Sequence, residues 1–174
     1  MMRGLTRALL ATREENKATL PLRIPLAMIF VAHGAQKLFG WFGGHGLDAT
    51  IEGFESLGIS PGLTKLAATT EFLGGLGVLT GFLTRPAALG IATVMAVATA
   101  KVHWQHGFFV NWGNQPGRGH GIEATMALAG MALSLVISGG GALSVDAALT
   151  HAKPEEKEES GESTAKRGQE TLCA

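Results

Sequence analysis

Four long apolar segments, joined by short polar connections, dominate the chain between Pro21 and Ala148. The segments cover approximately residues 22–41, 62–83, 86–103 and 121–139. Only 12 of the 28 charged residues fall between Pro21 and Ala148. Each segment approaches the roughly 20 apolar residues that a helix needs to cross a hydrocarbon core about 30 Å thick. The pattern predicts an all-α fold, a bundle of four transmembrane helices, with buried helices of a soluble protein as the competing interpretation.

The charged residues divide the chain into three parts. Residues 1–21 carry several basic side chains without a clear signal-peptide cleavage site, so they are predicted to be a cytoplasmic lead-in. Residues 22–149 form the predicted membrane domain. Residues 150–174 are highly charged and nearly free of large apolar side chains, so this tail is expected to be disordered.

The distribution of lysine and arginine predicts the orientation in the membrane. Ten of these residues belong to the N-terminal lead-in together with Arg23, the hairpin at Arg85 and the C-terminal tail, whereas four lie on the opposite side. Basic residues are retained in the cytoplasm. Both termini are therefore predicted to be cytoplasmic, which agrees with an even number of membrane spans.

Local signals mark the ends of the helices. Proline suits the first turn of a helix, so Arg85-Pro86 predicts a tight hairpin between the second and third segments. Asp48 is predicted to cap a short helix on the membrane surface. In this helix Ile51, Phe54 and Leu57 recur at every third position, and Glu52 and Glu55 face the other way. The connection 104–120 combines aromatic and polar residues, which is typical of an interfacial loop.

Small residues recur at helical spacing in the second and third segments. Gly77 and Gly81 form a GxxxG pair, and four alanines follow one another at intervals of four: Ala88, Ala92, Ala96 and Ala100. Such residues allow helices in lipid to approach closely, so both sets are predicted to pack against neighbouring helices.

Composition excludes two classes of function. The formal net charge of +0 offers no basic surface for nucleic acid. Cys173 is the single cysteine, so the chain can form neither an internal disulfide nor a CxxC redox pair. His103, His106 and Glu123 match no recognised metal-binding spacing, and no metal site is predicted.

Five ionisable residues interrupt the apolar segments, and the predicted topology places them in the outer half of the bundle: His33, Lys37, Glu71, His103 and Glu123. Ionisable groups persist in a membrane only where they are paired or hydrated. Lys37 is expected to pair with Glu71 or with Glu123. The group is interpreted either as a polar pocket that binds a ligand or as a structural ion pair that sets the helix register.

The motifs around these residues resemble those of the DoxX family of membrane proteins. The matching segments are 30–40, 71–75 with Gly81, 84–88, 103–109 with Asn114 and Glu123, and 143–146. The resemblance extends over residues 22–149. It implies a four-helix, multi-pass protein of the bacterial inner membrane, in which Lys37, Glu71 and Glu123 occupy the family's polar positions.

The family is linked to a subunit of a thiosulfate:quinone oxidoreductase and to membrane oxidoreductase complexes of oxidative stress. With the polar residues, this link leads to the hypothesis of a redox subunit that binds quinone or quinol in an outer polar pocket and acts with soluble or membrane redox partner proteins. Lys37 or His33 would donate a hydrogen bond to the quinone, and Glu71 or Glu123 would take a proton. The alternative is a non-enzymatic membrane scaffold or small-solute carrier. The chain contains no self-contained catalytic motif, so both an enzymatic and a non-enzymatic role stay open. No feature of the sequence specifies an oligomeric state.

Overall fold

The computed structural model describes Leu10, Thr12 and residues 16–151, and these residues form helices and connections without β-strands. The all-α prediction is confirmed. The six α-helices are α1 Leu20–Phe39, α2 Gly46–Glu55, α3 Pro61–Thr80, α4 Thr84–Ala98, α5 Glu123–Ser138 and α6 Val145–His151. The tail beyond residue 151 and most of the lead-in before residue 16, for which predictions were made, lie outside the described residues.

The four predicted apolar segments correspond to α1, α3, α4 and α5. Two continuous helical stretches, 17–39 and 84–106, are long and apolar enough to cross a membrane. The second stretch continues α4 through a π-helical turn, Thr99–His103, and a 3-10 turn. Helix α5 is apolar but has 16 residues, and α3 has 20 residues including Lys65 and Glu71.

Helices α3 and α4 form the tight hairpin that the sequence predicts. Helix α3 ends at Gly81 (φ +69°), and α4 begins after Leu83, which also has a positive φ of 48°. Pro86 lies in the first turn of α4. Gly81 is therefore a turn residue in the left-handed conformation that glycine tolerates best. Both glycines of the predicted GxxxG pair pack closely. A Cβ atom added to Gly77 would lie 3.1 Å from the Cβ of Ala87 in α4, and one added to Gly81 would lie 2.6 Å from Nη2 of Arg23 in α1.

Helix α2 is the predicted short helix between the first two long helices. It begins at Gly46, with His45 at the N-cap, so Asp48 lies in the first turn and is not the cap. Ile51 and Phe54 are half-buried while Glu52 and Glu55 are exposed, as predicted. The prediction is wrong for Leu57, which is exposed because the helix ends at Glu55. The helix packs against α1 and α3.

Helices α1 and α3 approach each other closely at two glycines. A Cβ atom added to Gly34 would lie 2.5 Å from the backbone nitrogen of Phe72. One added to Gly75 would lie 2.8 Å from the backbone nitrogen of Val31. Only hydrogen fits at these points, so the backbones of α1 and α3 touch where these glycines lie.

Replacement of Gly34 with alanine is expected to lower the free energy of unfolding by about 1–3 kcal/mol, because the new methyl group meets backbone that cannot move aside. Gly130→Ala in α5 is the matched control, since nothing lies within 4 Å of its added Cβ. Unfolding in mixed detergent micelles measures both. Equal stability of the two variants would contradict the close contact of α1 with α3.

The apolar core lies toward the end of the bundle where Arg23 is found, which we call the Arg23 end. The opposite end of the bundle is called the Lys37 end. The buried residues of the core are Leu26, Ala27 and Phe30 of α1, Val78 of α3, Ala88, Ile91, Ala92 and Met95 of α4, and Ala132 and Leu135 of α5. Ala88 and Ala92 are thus packed as predicted. Ala96 and Ala100 are exposed, so only the first half of the alanine row packs against neighbouring helices, and the prediction is wrong for the second half.

The surface of the bundle is apolar and its buried groups include charges. Leucine, isoleucine and methionine side chains are exposed along all four long helices, among them Met28, Leu66, Leu89 and Ile137. Arg23, Glu71 and Asp146 are instead at most 3% exposed. This arrangement is the reverse of that in a water-soluble protein and is typical of a protein embedded in lipid.

Candidate functional site

Lys37 and Glu71 form a direct ion pair between α1 and α3. Lys37 lies in the last turn of α1, and Glu71 lies midway along α3. The close contact at Gly34 and Phe72 brings these parts of the two helices together. The structure thus selects Glu71 from the two carboxylates that the sequence offered to Lys37.

The two partners differ in exposure. The side chain of Glu71 is 4% exposed, whereas that of Lys37 is 23% exposed. An ammonium group has three N–H donors. Glu71 takes one of them, so Lys37 retains donors on its more exposed side.

A cleft of about 310 Å³ opens beside Lys37 at the Lys37 end of the bundle. It is lined by Gln36, Lys37, Gly43, Gly44, His45, Ala49 and Thr50. The Gln36 amide donates to the Phe42 carbonyl oxygen (3.2 Å), and the Thr50 hydroxyl donates to the Gly46 carbonyl oxygen (2.7 Å). Lys37 is therefore the cleft's charged donor with bonding capacity to spare.

Glu123 lies at the first residue of α5 and binds the connection that precedes it. Its carboxylate accepts a hydrogen bond from the backbone N–H of Val110 (3.0 Å), and its own N–H donates to the Phe108 carbonyl oxygen (2.9 Å). Within residues 16–151 it forms no hydrogen bond with Lys37. Glu123 therefore holds the connection 107–122 against the start of α5.

The histidines have different environments. The Nδ1 atom of His103 lies 2.7 Å from the carbonyl oxygen of His120, so His103 also holds this connection. His33 is exposed on the surface of α1. Of the five predicted site residues, the structure joins Lys37 and Glu71 directly. His33 lies one turn from Lys37 on α1, whereas Glu123 and His103 bond the connection 107–122. Among the described residues, no group of three or more His, Cys, Asp and Glu could hold a metal ion.

Arg23 forms a second buried polar centre, which the sequence analysis did not identify. Its Nε donates to the carbonyl oxygen of Val78 (2.9 Å) and its Nη2 to that of Leu79 (2.8 Å), both in the last turn of α3. Its Nη1 donates to Gly140 (2.9 Å) and lies within 3.3 Å of two further carbonyl oxygens after α5. One guanidinium thus satisfies the carbonyl groups at the ends of two helices.

Asp146 caps the hairpin at the same end. Its carboxylate accepts hydrogen bonds from the backbone N–H groups of Leu83 (2.8 Å) and Thr84 (2.9 Å) and from the Thr84 hydroxyl (2.8 Å). These N–H groups begin α4, so a side chain 62 positions further along supplies the cap that the local sequence lacks. In the sequence, Arg23 and Asp146 each stand as an isolated charge beside an apolar segment, and this feature could have identified them as buried polar residues.

The chain is similar to known membrane proteins. The family model described as DoxX matches residues 18–104, which include α1, α2, α3, α4 and the Lys37–Glu71 pair. The inner membrane protein YqjF of Escherichia coli (strain K12) is 30% identical over 135 residues, which cover 78% of this chain and 94% of that protein. No solved structure matches. On the family match and this similarity, the chain belongs to the DoxX family of membrane proteins.

Proposed function

We propose that this protein is an inner-membrane subunit that binds a quinone or quinol at the Lys37–Glu71 pair. The observation that carries the proposal is that a buried carboxylate holds an ammonium group whose remaining donors lie at the mouth of a cleft. Quinone carbonyl groups accept hydrogen bonds, and this donor matches them. Lys37 would bind the ring oxygen, and Glu71 would fix Lys37 in position.

A bound quinone supplies reversible transfer of two electrons and two protons. In the proposal, Glu71 is the carboxylate that holds or releases a proton beside the ligand, since burial and direct contact place it next to Lys37 Nζ. Soluble or membrane redox partner proteins would supply or remove the electrons.

In the proposed arrangement, α1, α3, α4 and α5 cross the membrane, α2 lies on its surface, and both termini are cytoplasmic. The name of the similar YqjF protein supports an inner-membrane location. The exposed tryptophans Trp41, Trp104 and Trp112 lie in the connections at the Lys37 end, as in an interfacial belt. Lys65 is exposed near the start of α3, so its ammonium can extend to the interface.

Cys173 tests this topology, because it is the single cysteine of the chain. A membrane-impermeant maleimide is expected to leave Cys173 unlabelled in intact spheroplasts and to label it after permeabilisation. A Cys173→Ala, Trp112→Cys variant is expected to label in both samples. Labelling of Cys173 in intact spheroplasts would contradict a cytoplasmic C-terminus.

The stability of the ion pair can be separated from its binding function. Lys37→Met leaves the buried Glu71 without its partner, and about 3–5 kcal/mol of unfolding free energy is expected to be lost. Lys37→Met with Glu71→Leu removes both charges and is expected to restore most of that loss. Unfolding in mixed micelles measures both variants, with the exposed Lys65→Met as control. A double variant no more stable than Lys37→Met would contradict mutual neutralisation.

Quinone retention tests the proposed function. The protein is purified from its own membrane in mild detergent and extracted, and co-purifying quinone is measured by mass and absorbance. We expect near-stoichiometric quinone in the wild type and background quinone in the Lys37→Met, Glu71→Leu variant, with Lys65→Met like the wild type. Background quinone in the wild type would reject the proposal.

The second candidate function is a non-enzymatic membrane scaffold in which the charges are structural. It is favoured by the contacts of Glu123 and His103, which hold the connection 107–122 and are not among the residues that line the cleft beside Lys37. A small-solute carrier is less well supported, because the apolar core fills the bundle interior toward the Arg23 end.

A further inference from the structure

Helices α1 and α5 carry two matching rows of side chains that are buried near the Arg23 end and more exposed near the Lys37 end. The row on α1 is Leu26, Phe30, His33 and Lys37; the row on α5 is Leu135, Met131, Leu128 and Ala124. In the first row, the two leading residues are buried, His33 is exposed and Lys37 is half-buried. In the second, burial falls from complete at Leu135 through half-buried at the middle residues to an exposed Ala124.

Contacts and helical periodicity place these rows toward each other. Leu26, Phe30 and Leu135 belong to one buried cluster, and Met131 and Leu128 pack against it. Helix α5 contacts α4 through a different side: the Thr99 hydroxyl donates to the Thr125 hydroxyl (2.8 Å), and Arg85 donates to the Val136 carbonyl oxygen (2.6 Å). At about 100° per residue, the row of Leu135 is turned away from that side and toward α1.

The two helices therefore pack together near the Arg23 end and leave a seam between them near the Lys37 end. Beyond Phe30, α1 packs against α3, as at Gly34 and Phe72, while His33 of α1 and Ala124 of α5 are exposed. His33 lies on the edge of the seam, 13 residues into α1. Among the described residues His33 forms no hydrogen bond, and an imidazole that faces hydrocarbon without one is costly, so the seam offers a place for a polar head group that bonds His33.

We propose that this seam between α1 and α5 is a lateral entrance through which a membrane-dissolved ligand with a polar head and a long apolar tail reaches Lys37 from the lipid. The inference rests on the proposed quinone function and names its route. Gln36 and Lys37 flank His33 on the surface of α1, so the cleft and the seam lie on the same side of the helix. The tail lies between His33 and Ala124, and His33 is a positioning residue that hydrogen-bonds the head group.

The experiment places a bulky side chain in the seam and compares two probes in lipid nanodiscs. The probes are a quinone with a polyisoprenoid tail and a water-soluble quinone with a short side chain. We expect Ala124→Trp to weaken binding of the long-tailed quinone by about tenfold or more while binding of the short-chain quinone changes little. Retained short-chain binding also shows that the variant is folded. Met126→Trp is the control, because Met126 is exposed on another side of α5.

The outcomes distinguish the route from the function. Unchanged binding of both quinones in Ala124→Trp would overturn the lateral entrance while leaving the site itself in place. Equal loss of both quinones would also overturn the entrance, because the substitution would then not discriminate between the two tails. Failure of the wild type to bind either quinone would overturn the proposed function, and the entrance with it. If a His33→Leu variant bound the long-tailed quinone as tightly as the wild type does, that result would contradict the positioning role of His33.

Discussion

Replacement of Arg23 with methionine is expected to lower the free energy of unfolding by about 3–5 kcal/mol, the cost of removing one side of a buried charged network. This is a large share of the roughly 5–15 kcal/mol that stabilises a typical domain. The side chain is 2% exposed, and its guanidinium bonds the ends of α3 and α5 together. Methionine fills a similar volume but leaves those carbonyl groups without donors, and lipid offers none in return.

Arg23→Lys separates charge from geometry. Lysine keeps the positive charge near the helix C-termini but has a single nitrogen, whereas the guanidinium of Arg23 reaches Val78, Leu79 and Gly140 with three. We expect lysine to recover only part of the loss. Tryptophan fluorescence during unfolding in mixed micelles gives the measurement, with Lys65→Met as the exposed-cation control. A stability for Arg23→Met close to that of the control would rule out the bridging role.

Asp146→Asn is expected to lower the free energy of unfolding by about 2–3 kcal/mol, although the two side chains have nearly the same shape. Three groups donate hydrogen bonds to the carboxylate: the backbone N–H groups of Leu83 and Thr84 and the Thr84 hydroxyl. Asparagine presents an NH₂ group to one side of this set, so a donor faces a donor. The hairpin also contains Leu83 at positive φ, a conformation that leucine adopts only with support from its surroundings.

Thermal unfolding in detergent tests the cap, with Asp48→Asn in the exposed first turn of α2 as the matched acidic control. A double-mutant cycle with Thr84→Val measures the part carried by the hydroxyl, and coupling of about 0.5–3 kcal/mol is expected for residues in direct contact. Independent, additive effects of the two substitutions would argue against the bond between Asp146 Oδ2 and the Thr84 hydroxyl.

The extent of the helices could be predicted because it depends on local sequence. Apolar length, Pro86 and the small residues near Gly81 located α1, the hairpin and α4 to within a few residues. The ion pair could be predicted in part, since a lysine in an apolar helix requires a carboxylate. The choice of Glu71 over Glu123 could not, because it depends on how α1 crosses α3.

Local sequence thus determined by itself the all-helical class, the order and length of the helices, and the need for Lys37 to be neutralised. The tertiary structure alone decided which polar groups meet: Lys37 with Glu71, Arg23 with the ends of α3 and α5, and Asp146 with the start of α4. The physical reason is that helical periodicity acts over a few residues, whereas these contacts join positions 34 to 117 residues apart. They depend on the depth and rotation of each helix, which the backbone contacts at Gly34 and Gly75 set.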